Sequence, residues 1–239
     1  MRIKFDFSAP EGTHFGVVKT LEELLADIPA PVDYWHATAD SVTNTDGRVS
    51  AWTGALGRQF IQATAARRPT YTGNGLRMFN AAGDAAEATM TLGGEQIGAA
   101  PSLTIACKIR MSAAAVAVDS QYIWVCPTPL HRLMYRYTAG NNYLRAQVLA
   151  TSNNLDRDVP ADVADIGAVY VASGSDYTLH VPGMAPVSYA GAEGANLPSL
   201  ILGGISATSP SLRAWMQRVG VWRHVPTTDE LDTLLKWVE

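Results

Sequence analysis

From Leu103 to Met111 the apolar residues Leu103, Ile105, Cys107, Ile109 and Met111 alternate with Thr104, Ala106, Lys108 and Arg110. Side chains of a strand point to opposite faces with a period of two, so this run predicts a strand packed on one side and wet on the other. That is the pattern of a sandwich. Further strands are predicted at 84–92, ending in Gly93-Gly94, and at 166–171 and 177–181, which flank the turn Ala172-Ser173-Gly174-Ser175. Leu200-Ile201-Leu202 runs into Gly203-Gly204, and 215–222 is a late strand with Val219 and Val221 on one side. The stretch Gln121 to Cys126 is apolar or aromatic on both faces, which predicts an interior strand covered on both sides.

Two short helices complete the pattern. Thr20 with Glu23 forms a capping box before Leu21, Leu24, Leu25 and Ile28, and Pro29 and Pro31 stop that helix. Thr227 with Glu230 forms a second box before Leu231, Leu234, Leu235 and Val238. Ahead of the first helix, Ile3, Phe5 and Phe7 alternate with polar residues as a short strand with one apolar face. Residues 1–33 are therefore set apart as a strand-helix appendage, and 34–239 as the sandwich. So small a unit cannot bury its apolar residues alone. Ile3, Phe5, Phe7, Leu21, Leu24, Leu25 and Ile28 must lie on the main domain or anchor the chain to a neighbouring subunit.

The hairpin 131–149 is the most informative for function. With Thr138-Ala139-Gly140-Asn141 as its turn, parity puts Leu133, Tyr135 and Tyr137 on one face with Leu144, Ala146 and Val148. The opposite face holds Arg132, Met134 and Arg136 beside Tyr143, Arg145 and Gln147. A turn one residue longer or shorter would mix the two faces. Aromatic faces that stack on sugar rings, together with planar polar groups that bind hydroxyls and carboxylates, make Arg132, Arg136, Tyr143, Arg145 and Gln147 the candidate glycan-binding residues. A solvated or subunit-contacting face uses the same residue types.

Composition narrows the class. Only 17% of residues are charged, with 20 Gly and 13 Pro, which suits many short strands joined by turns within one main domain. A net charge of −4 argues against nucleic acid as a partner, because phosphate binding needs a basic surface. No apolar run reaches the roughly 18 residues of a membrane span, and the first residues lack the apolar block of a secretory signal. Synthesis in the cytoplasm without membrane insertion is expected. Cys107 and Cys126 are expected to be buried free thiols.

A wider pattern runs from residue 34 to 79. Tyr34-Trp35-His36-Ala37-Thr38-Ala39-Asp40-Ser41, Asp46-Gly47-Arg48-Val49-Ser50-Ala51-Trp52, Gly57, Gln62-Ala63 and Arg67-Arg68-Pro69-Thr70-Tyr71 lead to Gly75 and Phe79. This resembles the opening of laminin-G-like, concanavalin A-like domains of the kind common in bacteriophage and prophage proteins, and the likeness extends over about 34–238. Asp46-Gly47 fits it as a hairpin turn and Pro69 as the start of a strand. The resemblance implies an all-β, antiparallel jelly-roll sandwich closed by the C-terminal helix. It also implies a structural protein of a tailed-phage virion, a head decoration, spike or tail-associated module whose partners are other virion subunits and a host-surface polysaccharide. An oligomer is expected. The alternative is a lectin module recognising acidic surface polysaccharide.

Catalytic readings find less support in the residues. Hydrolases that resemble this family carry Glu, Asp and Glu at alternating positions of one strand, whereas Glu230-Leu231-Asp232 continues as Thr233-Leu234-Leu235 and serves a helix cap. His14, His36, His131, His180 and His224 are scattered, with no Gly-x-Ser-x-Gly turn. The chain is therefore expected not to be an enzyme, a glycoside hydrolase ranking third among the readings. No cofactor is expected; calcium is the one ion the resemblance brings in, with Asp119, Asn141, Asn142, Asn153, Asn154 and Asp156 as its oxygen donors.

Overall fold

The computed structural model describes residues 19–79, 88–93, 97, 102–112, 120–127, 130–138, 141–148, 154–160, 165–191, 199–204 and 212–239. The first strands are β1 (Pro31–His36), β2 (Val42–Thr45), β3 (Arg48–Thr53), β4 (Gln59–Ile61), β5 (Thr70–Thr72) and β6 (Gly75–Arg77). Then come β7 (Met90–Leu92), β8 (Ser102–Met111), β9 (Gln121–Pro127), β10 (Leu130–Thr138), β11 (Asn141–Val148) and β12 (Asn154–Asp158). The last are β13 (Asp165–Ser173), β14 (Asp176–His180), β15 (Val187–Ala190), β16 (Leu200–Leu202) and β17 (Ala214–Trp222). They form two antiparallel sheets. An eight-stranded sheet runs β15-β14-β13-β8-β17-β6-β5 with β1 also on β17, and a nine-stranded sheet runs β12-β11-β10-β9-β16-β7-β4-β3-β2. This is the sandwich that the alternation predicts.

Strand β8 lies at the middle of its sheet, between β13 and β17. Leu103, Ile105, Cys107 and Ile109 point into the core, where they meet Trp35, Trp52, Phe60, Trp124, Leu133 and Leu144. The other face is only partly wet. Helices α1 (Leu21–Asp27) and α2 (Thr228–Val238) lie there, and Leu25, Ile28, Ala106, Val169, Val171, Trp222, Leu234, Trp237 and Val238 form a second buried cluster. The small Ala106 lets the helices approach, and at Gly167 a Cβ would run into the Val238 carbonyl. Lys108 and Arg110, further along β8, keep the polar character that the sequence assigns to this face.

Both predicted capping boxes form. Thr20 N–H donates to Glu23 Oε2 at 2.7 Å and Glu23 N–H to Thr20 Oγ1 at 3.2 Å. In α2 the corresponding bonds, between Thr227 and Glu230, are 2.7 and 3.4 Å. Asp46 and Gly47 both take positive φ, 54° and 75°, in the β2–β3 turn, a conformation that suits the Asp-Gly pair.

Two expectations are revised. The division at residue 33 cuts through β1, and Asp33 is fully buried, its carboxylate accepting N–H groups of Tyr34, Leu56 and Arg58 at 2.7, 2.8 and 2.7 Å. Residues 31–33 thus belong to the sandwich. Residues 154–158, polar except for Leu155, form strand β12 because the edge of β11 supplies their hydrogen-bonding partners whatever their polarity. Of the proposed anchoring residues, Leu25 and Ile28 are buried in this chain's own second cluster, which withdraws them from any neighbour. Leu21 is partly buried beside them, Leu24 is 39% exposed, and Ile3, Phe5 and Phe7 lie outside the described residues.

Candidate functional site

The β10–β11 register decides the face of the nine-stranded sheet that looks outward. Thr138 pairs with Asn141, so Arg132 stands opposite Gln147, Met134 opposite Arg145 and Arg136 opposite Tyr143. Leu133, Tyr135, Leu144, Ala146 and Val148 are buried on the core side. All five residues proposed for a glycan are therefore together on one surface. Strand β9 adds Tyr122, the cross-strand partner of Met134, and β12 adds Asp156 and Asp158 opposite Arg145 and Tyr143.

The groups on this surface orient one another. Arg145 and Asp156 make a bidentate ion pair at 2.7 and 2.6 Å. Arg132 donates to Gln147 Oε1 at 2.5 Å and to the Tyr122 hydroxyl at 3.1 Å. Three guanidinium groups lie over two tyrosine rings: Arg132 over Tyr122 at 5.2 Å, and Arg136 and Arg145 over Tyr143 at 5.9 and 5.2 Å. The result is a platform of flat cations and phenol rings. Guanidinium groups held this way keep their remaining N–H donors oriented for carboxylates and hydroxyls at little further entropic cost. Tyr122 and Asp156 were not among the predicted glycan-binding residues. The Tyr122 signal was present as an aromatic residue in β9, but its facing is decided by the bulge between Leu133 and Met134.

A second polar region lies on the other sheet. Lys108, Arg218 and His36 are consecutive cross-strand partners on β8, β17 and β1. With Arg110, Gln217 and Asn74 they line a hollow of about 190 Å³. His36 also lines a neighbouring cleft of about 370 Å³ that includes Tyr34, Trp237, Asp40 and Ser41. Burial and the nearby Arg218 both hold the His36 imidazole below its ordinary pKa.

Other groups weighed for chemistry serve structural ends. Glu230 caps α2, and its carboxylate accepts a hydrogen bond from His224 Nε2 at 2.9 Å. His131 is buried and bonded through Nδ1 to the Tyr170 hydroxyl at 2.9 Å, and burial lowers its pKa to about 4. Cys107 and Cys126 are buried free thiols, as expected; burial pushes Cys107 up to about 12 and Cys126 higher still. Among the oxygens considered for calcium, Asp156 is engaged by Arg145 and Asn142 is buried. Asn141 and Asn154 begin β11 and β12, and Asp119 and Asn153 lie outside the described residues. Among the described residues no three His, Cys, Asp or Glu side chains stand together.

No family model matches the chain, and no curated protein matches it. Solved structures share its fold. A sialidase of Trypanosoma rangeli in complex with sialic acid superposes with a TM-score of 0.61 at 13% identity, over 90% of this chain and 36% of that one. The ligand-binding domain of botulinum neurotoxin serotype D in complex with N-acetylneuraminic acid gives 0.62 at 9% identity, over 90% and 52%. The receptor-binding domain of the C/D mosaic neurotoxin gives 0.57 at 8% identity, over 87% and 51%. The chain thus spans from about a third to about half the length of these proteins. The expectation that the protein is not an enzyme is corrected here: the sandwich is shared with sialidases, which are enzymes, so the fold and the lack of a Glu-Asp-Glu strand do not exclude activity. What the likeness establishes is the architecture, an all-β sandwich of two antiparallel sheets.

Proposed function

We propose that the protein is a carbohydrate-binding β-sandwich whose outward face of β9–β12 holds an acidic polysaccharide. The observation that carries this is the β10–β11 register, which sets Arg132, Arg136, Arg145 and Tyr143 side by side above the sheet. Guanidinium forks suit sugar carboxylates, and the tyrosine rings suit sugar faces. Support of a coarser kind comes from the neighbours with the same fold, among them a sialidase solved with sialic acid and a neurotoxin domain solved with N-acetylneuraminic acid. A glycan array tests the reading. Acidic glycans are expected to be retained by the wild-type chain and lost or weakened at least tenfold by Arg136→Ala combined with Arg145→Ala. Absent binding, or binding unchanged in the double variant, would overturn the site.

The setting we propose is the virion of a tailed phage, with the sandwich displayed toward a host surface polysaccharide and other virion subunits as partners. It draws on the resemblance of residues 34–79 to phage laminin-G-like domains. We assign the attachment to residues 1–18, because Leu25 and Ile28 of α1 are buried in this chain's own second cluster. Removing 1–18 is expected to abolish incorporation into particles while leaving glycan binding intact. Normal incorporation of the shortened chain would remove the attachment.

A further inference from the structure

Lys108, Arg218 and His36 lie directly opposite one another across three adjacent strands. Like charges placed directly opposite on a sheet repel, so a row with Lys108 beside Arg218 is costly unless something negative answers it. Part of the answer is internal. Lys108 donates to the Glu239 carbonyl and Arg218 to the Trp237 carbonyl, both at the C-terminal end of α2, where the helix dipole is negative. Arg110 is answered by Asp165 at 2.7 Å and by Asn74 Oδ1 at 3.1 Å. Two carboxylates, of Asp165 and Glu239, and two backbone oxygens thus face three full cations, which leaves the row with one positive charge in excess. Burial, with Arg218 and Arg110 adding to it and Asp165 and Glu239 opposing, draws the Lys108 ammonium below its ordinary pKa.

The shape around these residues is equally specific. The hollow lined by His36, Asn74, Lys108, Arg110, Gln217 and Arg218 has almost wholly polar walls and holds about 190 Å³. It adjoins, through the shared His36, the cleft of about 370 Å³ lined by the aromatic residues Tyr34 and Trp237 and by Glu22, Asp40 and Ser41, whose oxygens suit sugar hydroxyls and whose carboxylates keep a sugar's own acid on the hollow side. Tyr34 is steadied by stacking on Trp222, with centroids 6.4 Å apart and planes at 5°. A cationic recess joined to an aromatic cleft with hydroxyl-binding groups matches a small ring that carries one carboxylate.

We propose that this pair of recesses on the eight-stranded sheet is a second binding site, taking a uronic-acid-type monosaccharide unit with its carboxylate in the hollow and its ring in the cleft. Its ligand class rests on the carbohydrate reading above, but its place does not depend on the β9–β12 platform. Arg218 and Lys108 supply the charge and His36 a directed hydrogen bond between the two parts. The platform and the recesses lie on opposite outer faces, so a chain carrying both holds two polymer segments at once or one polymer wrapped across its edge.

Titration of the full chain with glucuronate, glucose and inorganic phosphate, followed by the indole N–H resonances of the six tryptophans, tests the proposal. Glucuronate is expected to move the resonance of Trp237, which lines the cleft, assigned through Trp237→Phe, and to leave in place those of Trp52 and Trp124, which belong to the core between the sheets. Glucose and phosphate are each expected to bind at least tenfold more weakly, since one lacks the carboxylate and the other the ring. Arg218→Gln is expected to weaken glucuronate at least tenfold, whereas Arg136→Ala with Arg145→Ala leaves the Trp237 response unchanged, so that the two sites fail separately. Glucuronate binding no tighter than glucose would overturn the charge assignment, and phosphate binding as tightly as glucuronate would overturn the ring cleft. A Trp237 resonance that stays still in the wild-type chain would overturn the site as a whole, with no variant involved.

Discussion

Arg145 and Asp156 face each other across β11 and β12 in a bidentate ion pair with N···O distances of 2.7 and 2.6 Å. The pair is open to solvent, with side chains 21% and 42% exposed, so its contribution to stability is about 0–1 kcal/mol. Its effect on the platform is larger. Asp156 occupies the same guanidinium fork that an acidic sugar would use, and it cancels one positive charge there. Asp156→Asn is therefore expected to shift the melting temperature little while tightening binding of an acidic glycan several-fold, most clearly at low salt. Loss of binding in this variant would mean that Asp156 holds Arg145 in its working orientation rather than competing for it.

A second prediction concerns pH. His131 is wholly buried beside Tyr170, and its pKa falls from 6.5 to about 4 on folding. The unfolded chain takes up this proton first as pH falls below 6.5, while the folded chain resists until about 4. The His131 contribution is thus fully present above 6.5 and is withdrawn between there and about 4, by on the order of 3 kcal/mol. Urea unfolding at pH 7 and pH 4.5 is expected to show this loss, and a His131→Phe variant to show a flatter profile. Equal pH dependence in both chains would assign the acid sensitivity to other groups.

The thiols give a third. Only thiolate reacts readily, and Cys107, with its pKa pushed up to about 12 in an apolar core, presents almost none at neutral pH. A disulfide reagent is expected to label neither Cys107 nor Cys126 in the native chain and both in guanidinium chloride. Rapid native labelling of either would place it outside the core.

The fourth concerns the helix that covers the eight-stranded sheet. Leu234 is fully buried between α2 and the sheet, so Leu234→Ala is expected to cost about 2–5 kcal/mol. Gly167→Val acts from the other side, since its side chain would strike the Val238 carbonyl. Both substitutions should also weaken glucuronate in the proposed recess, because Trp237 and the carbonyls that hold Lys108 and Arg218 ride on α2. Undiminished glucuronate affinity in a folded Gly167→Val chain would separate the recess from the helix.

What the chain determined alone is what repeats at short range. The alternation at 103–109 sorted Leu103, Ile105, Cys107 and Ile109 into the core, the spacing that pairs Thr138 with Asn141 set the parity that put Arg132, Arg136, Tyr143, Arg145 and Gln147 on one face, and Thr20 and Thr227 began the helices. Each is a matter of neighbours a few residues apart. Tertiary structure decided everything that joins distant segments. Strand β12 exists because β11 offers it an edge, Leu25 and Ile28 are buried because α2 returns from the far end of the chain, and Tyr122 reaches the platform through a bulge. The row of His36, Lys108 and Arg218 belongs to the same class, since three residues so far apart in sequence become adjacent only when β1 and β8 both pair with β17, a register that no local periodicity encodes.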